Sequence, residues 1–219
     1  MRTAALVVLT LVGTVEAAPC QTTPGPVARF DLAASLGSSS TDHGELSDYS
    51  NWTTGLLTAV NAGYYWTDHN KSEVEAGWIG KNTEDVYERL DNADGRFGYA
   101  YSTHTFETFR VTIAQTYQFG RNAWVHPFVG AGLDIDRDTH TTDREAQTVT
   151  TYSGSSGRAS SLRVAARHDV ETTVRSLPFA KAGFKAYTSE RVFFATDLKF
   201  DVGSGVERVV WKAALGIDF

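Results

Sequence analysis

The chain has a single cysteine, Cys20, so no internal disulfide can form. It has no basic excess: 20 Lys and Arg stand against 26 Asp and Glu, a net charge of −6, which argues against nucleic acid as a partner. It also lacks a long hydrophobic run. The most apolar stretch, Ala4 to Val15, falls short of the ~20 residues that a transmembrane helix needs. A chain without such a helix can still cross a membrane if it closes into a barrel.

The amino terminus reads as an export signal. Met1-Arg2 gives a positive start, Ala4 to Val15 an apolar stretch, and Val15-Glu16-Ala17 small or aliphatic residues at −3 and −1 of a cut after Ala17. Residues 1–17 are therefore expected to be a signal peptide and 18–28 a short periplasmic leader that includes Pro24-Gly25-Pro26. Cys20 lies near the cut, as in a lipoprotein. Pro19 and Ala17 stand where a lipobox needs a small residue and Leu, so Cys20 reads as a free thiol in the leader.

What remains is rich in Gly, Thr and aromatic residues, which suits strands and turns. Alternation predicts eight strands: 29–37, 52–66, 72–80, 106–119, 123–136, 174–187, 191–202 and 207–219. Short connections at 67–71, 120–122 and 188–190 alternate with long polar ones at 38–51, 81–105 and 137–173; the short 203–206 departs from the pattern. Within the long segments, 84–90 reads as one or two helical turns over the barrel mouth and 91–95 as a turn. Residues 149–152 and 162–164, on either side of a Ser-Gly tip at 153–157, read as a hairpin prolonging the fifth and sixth strands.

The two strand faces differ. One carries sets such as Phe30, Leu32, Ala34, Leu36 and Val209, Trp211, Ala213, Leu215, Ile217, Phe219, and no charged residue, although 21% of the chain is charged. A lipid-facing surface should exclude charge, because Lys or Arg at mid-depth costs ~2–4 kcal/mol. The other face carries Glu73, Glu75, Arg110, Asp134, Asp136, Lys181, Lys185, Asp197, Lys199, Asp201, Arg208 and Lys212, interspersed with glycines. In the narrow lumen of eight strands these opposite charges should pair into a plug.

The sequence leaves two other site readings open. Asp134, Asp136, Asp138 and His140 share one face and could offer oxygen ligands to an ion. The missing calcium-loop glycine, and Arg137 and Arg144 nearby, favour ion pairing instead. Of the six histidines, His43, His140 and His168 fall in segments read as loops and His69 in a turn; His126 lies low on the lumen side, and His104 follows Ser102-Thr103 near the top of a strand. No nucleophile–base–acid set stands out, and no enzyme or cofactor is expected.

The stretch His126-Pro127-Phe128-Val129-Gly130-Ala131-Gly132-Leu133-Asp134 resembles a strand common in small outer-membrane barrels of the OmpA-like, OmpW-like and opacity-protein type. The last strand resembles the closing strand of such barrels, whose terminal Phe is part of the signal read by the barrel-assembly machinery. The resemblance implies an all-β, eight-stranded antiparallel up-and-down transmembrane β-barrel over 29–219, monomeric, in the bacterial outer membrane. It implies outer-membrane lipids and the assembly machinery as partners, Trp211, Leu215, Ile217 and Phe219 as the assembly signal, and a possible extracellular ligand at the loops. Such barrels include adhesins, structural barrels and conduits, so the expected role is structural or surface interaction, with a narrow conduit as the alternative. Alternation alone also allows a soluble lipocalin-like barrel with the faces inverted.

Overall fold

The computed structural model describes residues 29–43, 52–91, 95–120, 124–153 and 159–219. The expected signal peptide and leader, with Cys20, lie outside the described residues, as does most of the Ser-Gly tip. Among the described residues there are ten strands: β1 (Phe30–Asp42), β2 (Trp52–Tyr65), β3 (Asn70–Asp91), β4 (Arg96–Gln118), β5 (Val125–Arg144), β6 (Gln147–Ser153), β7 (Ala159–Val164), β8 (Arg167–Tyr187), β9 (Val192–Val202) and β10 (Val206–Asp218).

Eight of them form a closed antiparallel ring, β1-β2-β3-β4-β5-β8-β9-β10. At the seam Leu32 pairs with Ile217 and Leu36 with Ala213, and the Phe219 N–H donates to the Phe30 carbonyl at 2.9 Å. The remaining two strands form the expected hairpin. β6 follows β5 and pairs with β4 above the point where β5 leaves it, and β7 runs into β8.

Alternation sets the two faces. Leu36, Leu56 and Leu215 point outward and are each more than 60% exposed, while Asp31, Glu75, Arg110, Asp134 and Arg208 point inward and are buried. This polarity is the reverse of a soluble ligand-carrying barrel, so the lipocalin-like alternative is set aside. The outward apolar set of β10 spans Val209 to Phe219. At ~3.3 Å per residue and ~45° of tilt, that covers about 25 Å, the height of a membrane-embedded band. Across the ring the strands sit tightly: a Cβ built on Gly132 would lie 2.1 Å from the Ile113 carbonyl oxygen, and one on Gly183 2.2 Å from that of Thr196. Only glycine fits at these approaches.

Above the band the ring is uneven. β1, β2, β9 and β10 stop near it, while β3, β4, β5 and β8 continue and, with β6 and β7, form a wall on one side of the mouth. The helix expected over 84–90 is strand instead, paired from Glu84↔His104 to Leu90↔Gly98. A register shift between Ile79 and Asn82 reverses the alternation there. Glu73, Glu75, Gly77 and Ile79 face inward below it; Val86 is the buried side above it, and Tyr87 points outward. That bulge hides the strand from a period-2 reading. His140 and His168, expected in loops, sit on β5 and β8, which continue above the band in unbroken register.

Candidate functional site

The lumen is filled level by level with ion pairs. At the short-turn end Asp31 on β1 accepts from Lys71 Nζ at 2.8 Å and from the Tyr65 hydroxyl at 3.0 Å. Lys185 bonds Asp218 at 2.7 Å and lies 3.7 Å from the Phe193 ring centroid. His126 is buried here, edge-on to Tyr187 at 5.3 Å between centroids. Higher up, Glu73 is held by Lys71 at 2.5 Å and by Lys181, and Glu75 by Lys212, whose ammonium lies 3.8 Å from Asp197.

The top of this stack centres on two fully buried arginines. Arg110 Nε lies 2.9 Å from Asp136 and 3.3 Å from Asp134, and its Nη2 3.3 Å from Asp201. Lys199 meets Asp134 at 2.5 Å. Arg208 binds Asp136, lies 3.5 Å from Asp201, and donates from Nε to Thr41 at 2.9 Å. All twelve charged residues assigned to the lumen by alternation therefore lie inside the ring, each within 4.0 Å of an opposite charge.

Several pairs cross the lumen between strands that are not neighbours: Lys181 on β8 with Glu73 on β3, Lys212 on β10 with Glu75 on β3, and Arg110 on β4 with Asp201 on β9. Beside them Leu57, Ala59, Ile79 and Val210 form a small buried apolar cluster on the inner face of β2, β3 and β10. Alternation marks that face as the polar one and so gives no sign of an apolar cluster within it.

The acids considered for an ion are taken by cations. Asp134 and Asp136 are engaged as above, and Asp138 bonds Arg175 at 2.6 Å and Thr108 at 2.5 Å. The neutralising groups are thus Arg110, Lys199, Arg208 and Arg175. The expected pair fails: Arg137 is exposed on the outer face, and Arg144 reaches Glu88 at 3.0 Å.

Above the band the inner face of the wall holds a cluster that strand-end reading missed. The Phe106 ring stacks with both His43 (3.9 Å between centroids, 22°) and His140 (4.5 Å, 11°). His140 Nε2 lies 2.8 Å from His104 Nδ1, and His104 Nε2 lies 3.1 Å from Ser102 Oγ and 3.4 Å from Glu88. Burial and the Arg175 charge, opposed by Asp138, push His43 down to about 4. Burial and the neighbouring His104 also lower His140. Extending the fourth strand upward in the sequence would have put Ser102, His104 and Phe106 on one face.

This Ser–His–Glu contact is not laid out for nucleophilic catalysis. Ser102 is fully buried, and the carboxylate of Glu88 shares His104 Nε2 with the serine, whereas an orienting acid must hold the far nitrogen. The far nitrogen faces a second imidazole. His43 and His140 each stack on Phe106, and among the described residues no three His, Cys, Asp or Glu side chains are grouped to hold one ion.

The outer face of the wall carries an aromatic ladder. Tyr87 pairs across strands with Tyr101, Arg89 with Tyr99, and Phe97 with Tyr152; Arg89 lies 4.9 Å from the Phe97 centroid. Tyr87 is 70% exposed. The residues assigned to an assembly signal, Trp211, Leu215, Ile217 and Phe219, lie exposed on the outer face of β10, and Phe219 stacks on Phe30 at 6.4 Å between centroids.

A closed eight-stranded antiparallel ring, apolar outside and ion-paired inside, is a transmembrane β-barrel of the small bacterial outer-membrane type. No family model matches the chain, and no curated protein matches it either. Among solved structures, Neisserial surface protein A aligns over 87% of this chain and 97% of its own, with a TM-score of 0.52 and 14% identity. Ail, the attachment invasion locus protein of Yersinia pestis, aligns over 88% of this chain and 99% of its own, with a TM-score of 0.51 and 9% identity. At these identities the likeness is one of fold.

Proposed function

We propose that the protein is a non-catalytic outer-membrane barrel that anchors the wall formed by β3–β8 outside the cell, with a structural or surface-interaction role. The observation that carries this reading is the division of labour between a lumen closed by cross-barrel ion pairs and a wall that presents exposed aromatics. Both faces of that wall are exposed along residues 167–174 of β8, and a contiguous exposed aromatic patch is the usual mark of an interaction surface. The signal peptide, the leader, a monomeric state, and recognition of Trp211, Leu215, Ile217 and Phe219 by the assembly machinery belong to the same proposal. Deleting Phe219 should then lower the amount of folded barrel in the membrane; unchanged levels would remove the assembly role.

The closed lumen is tested by conductance. Reconstituted in a planar bilayer, the barrel should pass no current above a protein-free bilayer. Stable single-channel steps would instead make it a narrow conduit.

A further inference from the structure

The rings on the outer face of the upper wall come from three strands: Tyr87 on β3, Phe97, Tyr99 and Tyr101 on β4, and Tyr152 on β6. The four tyrosines are each more than 40% exposed. β4 is paired with β3 on one side and with β6 on the other, so its rings stand on a fixed backbone. Side chains two apart on a strand are about 6.6 Å apart, and the row Phe97, Tyr99, Tyr101 therefore runs for ~13 Å. Tyr87 meets Tyr101 edge-on at 5.7 Å between centroids, and Phe97 meets Tyr99 in the same way at 6.3 Å.

The spaces between the rings are polar. The Thr103 hydroxyl donates to Asp85 at 3.0 Å, and Thr148 and Thr150 lie exposed on β6. Among the described residues of β3, β4 and β6 above the band, no aliphatic side chain points outward. A protein partner would call for an apolar centre depleted of charge. The face does not suit an anion either. Arg89 is held by Asp91 at 3.0 Å and lies 4.9 Å from the Phe97 centroid, and the nearby Asp85 is negative, so there is no cationic excess. Rings interleaved with hydroxyls and carboxylates match an uncharged saccharide. The C–H face of a pyranose lies on a ring while its hydroxyls bond the groups between. Tyrosine supplies such rigid, amphipathic area at low cost in side-chain entropy.

Position selects the source of the saccharide. Trp78 is the last outward apolar residue of β3 before the bulge, and at ~3.3 Å per residue and ~45° of tilt Tyr87 stands about 20 Å above it. The face points sideways from the barrel, over the neighbouring lipids. At that height above an outer leaflet stand the sugars of its glycolipids. We propose that the outer face of the wall binds an uncharged stretch of the saccharide chain of an outer-leaflet glycolipid, laid along β4 over Tyr99 and Tyr101 with Tyr87 and Tyr152 on either side. The proposal rests on the surface-interaction reading and gives that surface its ligand.

The test uses the whole barrel folded in a zwitterionic detergent, its fold checked by a heat-dependent shift in gel mobility. The probe is the saccharide released by mild acid from the glycolipid of the source outer membrane, titrated by calorimetry. Saturable binding is expected. Tyr99→Ala and Tyr101→Ala should each weaken it about tenfold or more, as loss of an anchoring ring does. Tyr117→Ala removes an exposed ring at the short-turn end and should leave binding unchanged. A heat-shifted wild type that binds no saccharide, or Tyr99→Ala and Tyr101→Ala variants that bind as well as wild type, overturns the site. The surface role is read separately in whole cells, with Thr150→Cys in a Cys20→Ser background and a membrane-impermeant maleimide. Slow labelling in cells with the full-length saccharide, made fast by truncating that saccharide or by Tyr99→Ala, supports the proposal. Slow labelling with either glycolipid means that another partner covers the face, which overturns the saccharide and keeps the surface role. Fast labelling with both removes the surface role as well.

Discussion

The barrel below the mouth and the wall above it are built from the same antiparallel ladder, yet their surroundings differ. In the band, lipid lies outside and the packed lumen inside. Each residue is thus committed to a face: Leu215 outward, Gly216 against the Phe193 ring, Ile217 outward. In the wall, water reaches both sides along the upper part of β8. Residues 167–174 of β8 are exposed on both faces, and the buried apolar cluster is small: Ala100, Val149 and Val164, with Leu90 and Leu162 packed against them. The barrel is held by buried charge and closure, the wall by a few small contacts and its backbone ladder.

The largest expected consequence concerns Arg110. It is fully buried and faces Asp134, Asp136 and Asp201, so Arg110→Ala leaves three buried carboxylates to two cations, Lys199 and Arg208. Breaking a buried pair in this way typically costs about 3–5 kcal/mol. Urea unfolding of the barrel in detergent should show a loss of that order. The corresponding change in the wall, Arg89→Ala, removes an exposed contact with Asp91 and should cost less than about 1 kcal/mol. Equal losses at the two sites would erase the contrast between the regions.

An intermediate effect is expected where the two regions meet. His43, at the end of β1, is stacked on Phe106 of the wall and faces Arg175 and Asp138 from β8 and β5, His140 from β5, and Asp42 beside it. Its folded pKa lies below its unfolded value, so its contribution is present above pH ~6.5 and is lost as pH falls through about 4. The protection of amides around Phe106, taken relative to intrinsic exchange at each pH, should fall across that window. His43→Phe keeps the stacked ring without the titration and should flatten the response; an unchanged pH profile in that variant would take His43 out of the junction.

The same contrast decides what could be read in advance. A residue between lipid and lumen has its polarity dictated by both, and so the register of the eight membrane strands and the inward placement of Glu73, Lys199 and Arg208 follow from alternation. Above the band that constraint is gone. The bulge after Ile79 inverts the face, and Glu84 to Leu90, with charged residues on both sides, then imitates a helix. Which lumen cation meets which acid was equally hidden. Arg110 and Asp201 are brought together only by ring closure, and sequence spacing offers no sign of that.

The orientation of the two faces underlies everything else. In a Cys20→Ser background, a spin label at Leu215→Cys in lipid vesicles would report it directly. The fold requires a label readily quenched by oxygen and shielded from a water-soluble paramagnetic complex. A label reached by the water-soluble complex and not by oxygen would mean that the apolar face does not meet lipid, and the barrel would have to be turned inside out.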